Sequence, residues 1–84
     1  MKALLLTFHA AEQLRRRNLD VAWIEAAVRS PAWREPDPVD PAIERRFLSI
    51  PENGGRVLRV ACVETDQHIR VITAMFDRNA GRRP

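Results

Sequence analysis

Two apolar, β-branched runs near the end of the chain constrain its fold more than any other feature. They cover residues 56–63 and 68–76, with a short polar segment between them. This pattern predicts a β-hairpin. With a two-residue turn, Glu64 faces Gln67. Because side chains alternate along a strand, one face then collects mostly apolar residues, which we expect to be buried: Leu58, Val60, Cys62, Ile69, Val71 and Thr73.

The opposite face of the hairpin carries cationic side chains, which are the strongest functional signal in the sequence. Arg59, Arg70 and His68 lie there, and an even-length turn at residues 53–55 adds Arg46 from the preceding strand. Guanidinium groups on adjacent strands can converge on a phosphate and bind it bidentately. The alternative is an ordinary exposed sheet face on which long side chains cover apolar surface. The sequence leaves both interpretations open.

The same face is predicted to expose large apolar side chains, among them Leu48, Ile50, Ile72 and Phe76. That is more apolar surface than a lone monomer usually leaves in water. A partner protein or a second copy of the chain, docked around Leu48, Ile72 and Phe76, is the simplest explanation.

Two helices are predicted ahead of the sheet. Thr7 is placed to cap a helix from Phe8 to about Arg17, which Asn18 ends. Asp20 is placed to cap a second helix over residues 21–29, and the Ser-Pro pair that follows stops it. The short connection between them predicts a helical hairpin.

The remaining segments complete an α+β domain. Residues 1–6 form a brief strand or a packed arm, the proline-rich residues 31–41 an extended loop, and residues 44–50 a strand. We expect two N-terminal helices packed on one face of a three- or four-stranded antiparallel sheet. Residues 1–84 make a single domain, in which residues 77–84 are a flexible basic tail.

Histidine and helix-borne arginine are further candidates for chemistry. His9 and His68 have side chains suited to proton transfer near neutral pH. A bond from His9 to backbone at the helix start, or packing at a sheet edge, is the alternative. The run of three arginines at residues 15–17 is typical of a solvated helix end, where cations favour the helix dipole. Arg17 is the one expected to point back at the sheet, because it lies three residues beyond the apolar Leu14.

Charge and cysteine content limit the function classes. The net charge is +3, and the segment from Asp77 carries +2 of it, so the body is close to +1 and is not a general polyanion binder. The single cysteine, Cys62, forms no intramolecular disulfide, and the first apolar stretch is too short for a secretory signal. We therefore expect a cytoplasmic protein with no membrane association. His9, Cys62 and His68 have no metal-ligand spacing, so we expect neither a metal nor a cofactor.

The opening run from Phe8 to Leu19, followed by a capped helix, resembles the start of a family of small bacterial domains of unknown function. That family opens with His-Ala-x-x-Arg-Met-x-x-Arg-Gly-Ile and closes with strands of the form Leu-x-Val and Val-x-Thr. His9, Arg17 and Thr73 fit this pattern, whereas Gln13 and Asn18 stand where the family usually has arginine and glycine.

The family is similar in fold to the RelE and BrnT toxins of toxin–antitoxin systems. The resemblance implies a RelE-like fold, RNA cleavage and a partner antitoxin. Joined with the arginine pattern, it predicts metal-independent cleavage in which His9 or His68 transfers the proton and Arg59 and Arg70 bind the scissile phosphate. Arg17, Arg46, Arg59, Arg70 and Thr73 would contact RNA. A non-enzymatic interaction module that docks a partner or a second copy is the alternative function.

Overall fold

The computed structural model describes residues 1–80. It contains a five-stranded sheet of order β1-β5-β4-β3-β2 and two helices. The elements are β1 (Ala3–Leu6), α1 (Phe8–Arg17), α2 (Val21–Arg29), β2 (Trp33–Pro36), β3 (Glu44–Ile50), a 3-10 turn (Pro51–Asn53), β4 (Arg56–Glu64) and β5 (His68–Phe76). Within the described residues, neither helix is long and apolar enough to cross a membrane.

The α+β class is confirmed, but the sheet has five strands and is mixed. β1 runs parallel to β5, while the other neighbouring pairs are antiparallel. The two edge strands are each four residues long. β1 confirms the brief strand predicted within residues 1–6, whereas β2 was not predicted. β2 lies within the segment predicted to be a loop, and its terminal proline, Pro36, is tolerated because an edge strand needs fewer backbone donors.

Both predicted helices are confirmed, and side-chain caps explain where they start. Thr7 Oγ1 accepts a hydrogen bond from Ala10 N at 3.1 Å, and Asp20 Oδ1 accepts one from Ala22 N at 2.9 Å. Asn18 ends α1 in the left-handed region with φ 55°. Asparagine adopts this conformation more readily than most residues, and it turns the chain directly into α2.

The helices cover one face of the sheet and form the core with it. Ile24 and Val28 of α2 are fully buried, together with Leu58 and Val60 of β4 and Val71 of β5. The predicted core face of β4 is thereby confirmed. Each such side chain contributes on the order of 2 kcal/mol through burial, so this layer contact supplies most of the stability that fixes the helices on the sheet.

The hairpin register differs from the predicted one. Thr65 closes a wider turn, because its N–H donates to His68 O at 2.9 Å and its hydroxyl accepts from His68 N. Glu64 therefore pairs with Ile69 and not with Gln67. A β-bulge then leaves Ile72 as an extra residue in β5.

The bulge changes which residues of β5 reach the core. Beyond it, Ala74 pairs with Val60 and Phe76 with Leu58, so both lie on the helix side. Thr73, predicted to be in the core, pairs with Ala61 and lies on the face opposite the helices.

The prediction that Arg46 of β3 shares a face of the sheet with Arg59 is also wrong. Residues 51–55 separate the paired Ile50 and Arg56, which is an odd number and not the even number predicted. A 3-10 turn followed by Gly54 and Gly55, both at positive φ, makes this length possible. Arg46 therefore pairs with Val60 and lies on the helix side of the sheet.

The apolar surface predicted for a partner is not one exposed face. Leu48 and Phe76 pack against the core on the helix side, while Ile72 lies at the bulge. The part of the predicted tail nearest the sheet is held in place, since Asp77 N donates to Val57 O at 2.9 Å and Ala80 is buried. The rest of that predicted tail, residues 81–84, lies outside the described residues.

Candidate functional site

Arg46 is an internal ion-pair residue. Its side chain is 4 % exposed, and it donates to Glu44 at 2.7 Å, Glu64 at 2.6 Å and the Val28 carbonyl at 2.9 Å. Lys2 donates to the other oxygen of Glu64 at 2.6 Å. The hydrogen bonds from Lys2 and Arg46 lower the pKa of Glu64 to about 2. We call Lys2, Glu44, Arg46 and Glu64 the ion-pair network.

Arg59 and Arg70 do not converge with Arg46. Arg59 lies on the opposite face of the sheet, where its guanidinium donates to Asp77 at 3.0 Å and lies 2.8 Å from Met75 Sδ. Arg70 is exposed on that face, in register with Val63 of β4. The predicted three-strand arginine cluster is therefore wrong, because the odd turn before β4 puts Arg46 on the other side.

His68 and Thr73 lie away from any arginine cluster. His68 pairs with Ala3 at the start of β5, roughly 25 Å along the strand from Phe76. Thr73 is half-buried opposite Ala61. Burial raises the pKa of the Cys62 thiol, as expected for a core residue, so it is a poor nucleophile.

The arginines fall into two groups according to whether a carboxylate pairs with them. An ion pair within 4.0 Å is present for Arg15, Arg29, Arg34, Arg45, Arg46 and Arg59. Within residues 1–80, no carboxylate pairs with Arg16, Arg17, Arg56, Arg70 or Arg78, all of which are exposed. Every member of this second group except Arg70 lies in one of two adjoining clefts.

The larger cleft, which we call the arginine cleft, has a volume of about 500 Å³. It forms where the end of α1, the start of α2, the 3-10 turn and the end of β5 meet. Its lining contains three arginines, two asparagines and no acidic residue among residues 1–80: Arg17, Asn18, Trp23, Asn53, Arg56, Met75, Phe76 and Arg78.

Aromatic rings form part of the lining of the arginine cleft. Trp23 meets Phe76 edge to face, with ring centroids 6.1 Å apart and planes at 62°. The Arg56 guanidinium carbon lies 4.5 Å from the centroid of Phe76, within the range of a cation–π contact. Phe76 reaches this position because the bulge in β5 turned it to the helix side.

A second cleft of about 300 Å³ runs along α1, and we call it the His9 cleft. It is lined by His9, Gln13, Arg16 and Arg17, so Arg17 belongs to both clefts. These positions share one side of α1 because residues four apart are neighbours on a helix. The two clefts together place one histidine and four arginines along one surface, and none of these arginines has a carboxylate partner within residues 1–80.

Arg17 and Gln13 are positioned by the edge of β5. The pairing of β1 ends at Leu6, so within residues 1–80 no strand pairs with that side of β5 beyond Val71. There Ala74 N donates to Gln13 Oε1 at 3.0 Å, and Arg17 donates to Ala74 O at 3.2 Å. These side chains stand in for a neighbouring strand. The prediction that Arg17 points back at the sheet is confirmed.

A protein-family model described as "Domain of unknown function (DUF4258)" matches residues 6–76. The chain belongs to the DUF4258 family. No curated protein and no solved structure matches it. The match covers both clefts of this DUF4258 domain except for Arg78, which follows two residues later.

Sequence reasoning missed Arg16, Arg56 and Arg78. Arg16 has Glu12 four residues before it, but Glu12 pairs with Arg15. The spacing of carboxylates is informative only for Arg17, which the sequence had identified. Arg29 has Glu25 four residues before it and pairs with that residue at 2.9 Å. Arg17 has Gln13 at the same spacing, so no helix carboxylate can neutralise it. Arg56 and Arg78 gave no comparable signal, because their surroundings depend on the long-range packing of β5 against α2.

Proposed function

We propose that this DUF4258 domain is a RelE-like, RNA-directed toxin or ribonuclease that needs no metal. The proposal rests on one observation: within residues 1–80, four of the five arginines without a carboxylate partner gather in two clefts that share Arg17 and have no acidic lining residue. RNA carries one negative charge per nucleotide, and guanidinium groups with free donors bind phosphate oxygens well. The role predicted for Arg59 and Arg70 passes to Arg16 and Arg17, which share a cleft with His9.

The order of elements agrees with a RelE-like assignment. A lead strand, two capped helices and a run of antiparallel strands follow one another along the chain. The resemblance also implies a neutralising antitoxin, and a carboxylate-rich segment of such a partner would pair with the same arginines. In this proposal the domain works in the cytoplasm, where its RNA substrate is present.

Cleavage in this proposal uses the nucleophile that RNA itself carries. His9 removes the proton from a ribose 2′-hydroxyl, and the 2′-oxygen bonds to the adjacent phosphorus. The bond from phosphorus to the 5′-oxygen breaks, and water supplies the proton to that oxygen. The products are a 2′,3′-cyclic phosphate and a 5′-hydroxyl end. Arg16 and Arg17 stabilise the extra negative charge on the phosphorane.

The test is cleavage of a single-stranded RNA by purified protein in excess EDTA. His9→Ala should lower the rate by about 10² to 10⁴, the usual contribution of a general base. Arg70→Ala is the matched control, because Arg70 is also exposed and without a carboxylate partner within residues 1–80 but lies outside both clefts. Unchanged cleavage in His9→Ala, or an equal loss in Arg70→Ala, would contradict these roles.

RNA binding can be tested separately from cleavage through its salt dependence. Each phosphate contact adds about 0.7 to the slope of log affinity against log salt for a single strand. Removing one cleft arginine, as in Arg78→Ala, should lower that slope by about 0.7, while Arg70→Ala should leave it unchanged. Equal slopes in the two variants would show that the clefts are not the binding surface.

A further inference from the structure

We infer that the arginine cleft receives one unpaired nucleobase, so that the domain selects single-stranded RNA over duplex. This inference rests on the proposed function and adds to it the form of RNA that is recognised. A cleft with arginines alone would bind any polyanion. The arginine cleft differs because the planar side chains of Trp23 and Phe76 line it together with the arginines.

Two planar surfaces are available to a base. Arg56 is exposed and lies over one side of Phe76, so the side of its guanidinium that faces away from Phe76 is open to a ligand. Trp23 is half-buried and lines the same cleft. Unstacked bases in RNA complexes commonly stack on aromatic rings or on guanidinium planes.

The polar lining suits the rest of a nucleotide. Arg17 and Arg78 line the cleft together with the stacking surfaces and would take the phosphates that flank the bound base. Asn18 and Asn53 each provide an amide with donors and an acceptor, which is what a base edge requires. Among the described residues, neither amide side chain has a hydrogen-bond partner that would compete.

The size of the cleft fits one nucleotide better than a helix. Its volume of about 500 Å³ lies in the usual range for sites that enclose a small ligand. A base held in an A-form duplex presents only its edge in a groove and cannot enter such a cleft. Selection of single strands therefore follows from the shape of the cleft and not from its charge.

Tryptophan fluorescence offers a direct test, because the two tryptophans lie on different sides of the sheet. Trp23 lines the arginine cleft, whereas Trp33 stacks on Phe47 on the other face, with ring centroids 4.8 Å apart. Trp33→Phe leaves Trp23 as the only reporter, and Trp23→Phe leaves Trp33. A 2′-O-methyl oligonucleotide is a suitable probe, since its blocked 2′-oxygens cannot attack phosphorus. We expect this probe to quench the fluorescence of Trp23 in the Trp33→Phe variant and to leave the fluorescence of Trp33 in the Trp23→Phe variant unchanged.

Three further probes separate base recognition from charge. An oligonucleotide of the same length with abasic sites, the corresponding duplex and inorganic polyphosphate should each leave Trp23 unquenched. They should also bind roughly tenfold to a hundredfold more weakly than the single strand, the usual effect of losing one stacked base. Equal binding of all probes with no quenching would overturn this inference and leave RNA binding through phosphates intact. No binding of any RNA would overturn the proposed function itself.

Arg56→Lys is the matched variant, because it keeps the positive charge and removes the planar group. We expect it to weaken binding of the single strand by about five- to tenfold while polyphosphate binding stays unchanged. A loss of the same size for both probes would show that Arg56 acts through charge alone and would contradict stacking on its guanidinium. Since Arg56 is exposed, the variant should fold like the parent protein, which circular dichroism can check.

Discussion

The two ends of β4 use basic residues in opposite ways. At its Glu64 end, the ion-pair network holds Arg46 between two carboxylates and the Val28 carbonyl. At its Arg56 end, the arginine cleft gathers Arg17, Arg56 and Arg78 with no acidic neighbour in its lining within residues 1–80. The side chains are the same, but Arg46 is neutralised within the fold, whereas Arg17, Arg56 and Arg78 have no carboxylate partner within residues 1–80 and are available.

The cost of removing a guanidinium from water explains why the buried and the exposed arginines have different roles. A guanidinium removed from water loses several kcal/mol of hydration, which it recovers only from close carboxylates and carbonyls. Such a group is part of the folded structure, and its burial keeps a ligand from reaching it. An exposed guanidinium keeps its hydration and can exchange it for a phosphate at little cost. The number of carboxylate partners therefore separates arginines that stabilise this fold from arginines that can bind.

The largest effect should come from removing the buried guanidinium. Arg46→Ala leaves Glu64 with Lys2 alone and Glu44 with Arg34 alone, and it removes the donor to the Val28 carbonyl. We expect a loss of about 3 kcal/mol in the free energy of unfolding, at the low end for a broken buried pair because both carboxylates are about one-third exposed. Urea denaturation followed by circular dichroism measures it.

Arg56→Ala is the counterpart at the other end of β4. It removes an exposed contact with Phe76 and should cost less than about 1 kcal/mol. If Arg56→Ala destabilised the fold as much as Arg46→Ala, the distinction between the two ends of β4 would be lost.

Acid should weaken the ion-pair network. The pKa of Glu64 falls from 4.5 to about 2 on folding, because Lys2 and Arg46 donate to its carboxylate. A lowered folded pKa means that the unfolded chain binds the proton more tightly. The stabilisation is therefore complete above about pH 4.5 and is lost as the pH falls toward 2.

Unfolding midpoints measured between pH 6 and pH 2 test this dependence. Glu64→Gln should flatten the plot of unfolding midpoint against pH below pH 4.5. Lys2→Met should flatten it less, because it removes the largest cause of the lowered pKa but leaves the hydrogen bond from Arg46. Glu52→Gln alters an exposed carboxylate with no ion pair within residues 1–80, and it should leave the curve unchanged. An unaltered acid limb in Glu64→Gln would place the acid sensitivity elsewhere.

Local signals made much of the fold predictable from the sequence. The ends of the helices follow from short sequence signals. Thr7 and Asp20 cap the two helix starts, and Asn18 ends the first helix. Alternation along β4 gave its buried face correctly, because a strand with one apolar side has only one stable orientation on a helix layer.

His9 and Arg17 of the candidate site were predicted, but the rest of the arginine cleft was not, because its position depends on a turn and a bulge that each differ by one residue from the expected length. An odd turn at residues 51–55 moved Arg46 to the helix side, and the extra residue Ile72 moved Phe76 there as well. Neither change alters the local apolar pattern. Two carboxylate partners were not evident from the sequence, since Glu64 and Asp77 each lie 18 residues away from the arginine they pair with, Arg46 and Arg59 respectively.

A smaller effect is expected where α1 completes the edge of β5. Gln13→Ala removes the acceptor for Ala74 N, a half-buried bond of 3.0 Å, and should cost about 1 kcal/mol in the free energy of unfolding. Gln13→Glu keeps an acceptor at that position and should recover most of the loss. Amide hydrogen exchange at Ala74 provides the site-specific measurement. Unchanged exchange in Gln13→Ala would indicate that α1 does not hold this edge.

The smallest effect on stability is expected for a substitution of Asn18. Variants at this position separate a role in folding from a role in RNA binding at the arginine cleft. Asn18 adopts φ 55°, so Asn18→Gly keeps a residue that accepts this conformation and should change stability by no more than about 0.5 kcal/mol. Asn18→Ala should cost about 1 kcal/mol, because alanine lacks the short polar side chain that lets asparagine adopt the left-handed conformation. Both variants lose the amide that lines the arginine cleft. If the amide contacts RNA, the two should bind RNA equally weakly despite their different stabilities. An affinity that instead followed stability from one variant to the other would assign Asn18 to the fold alone.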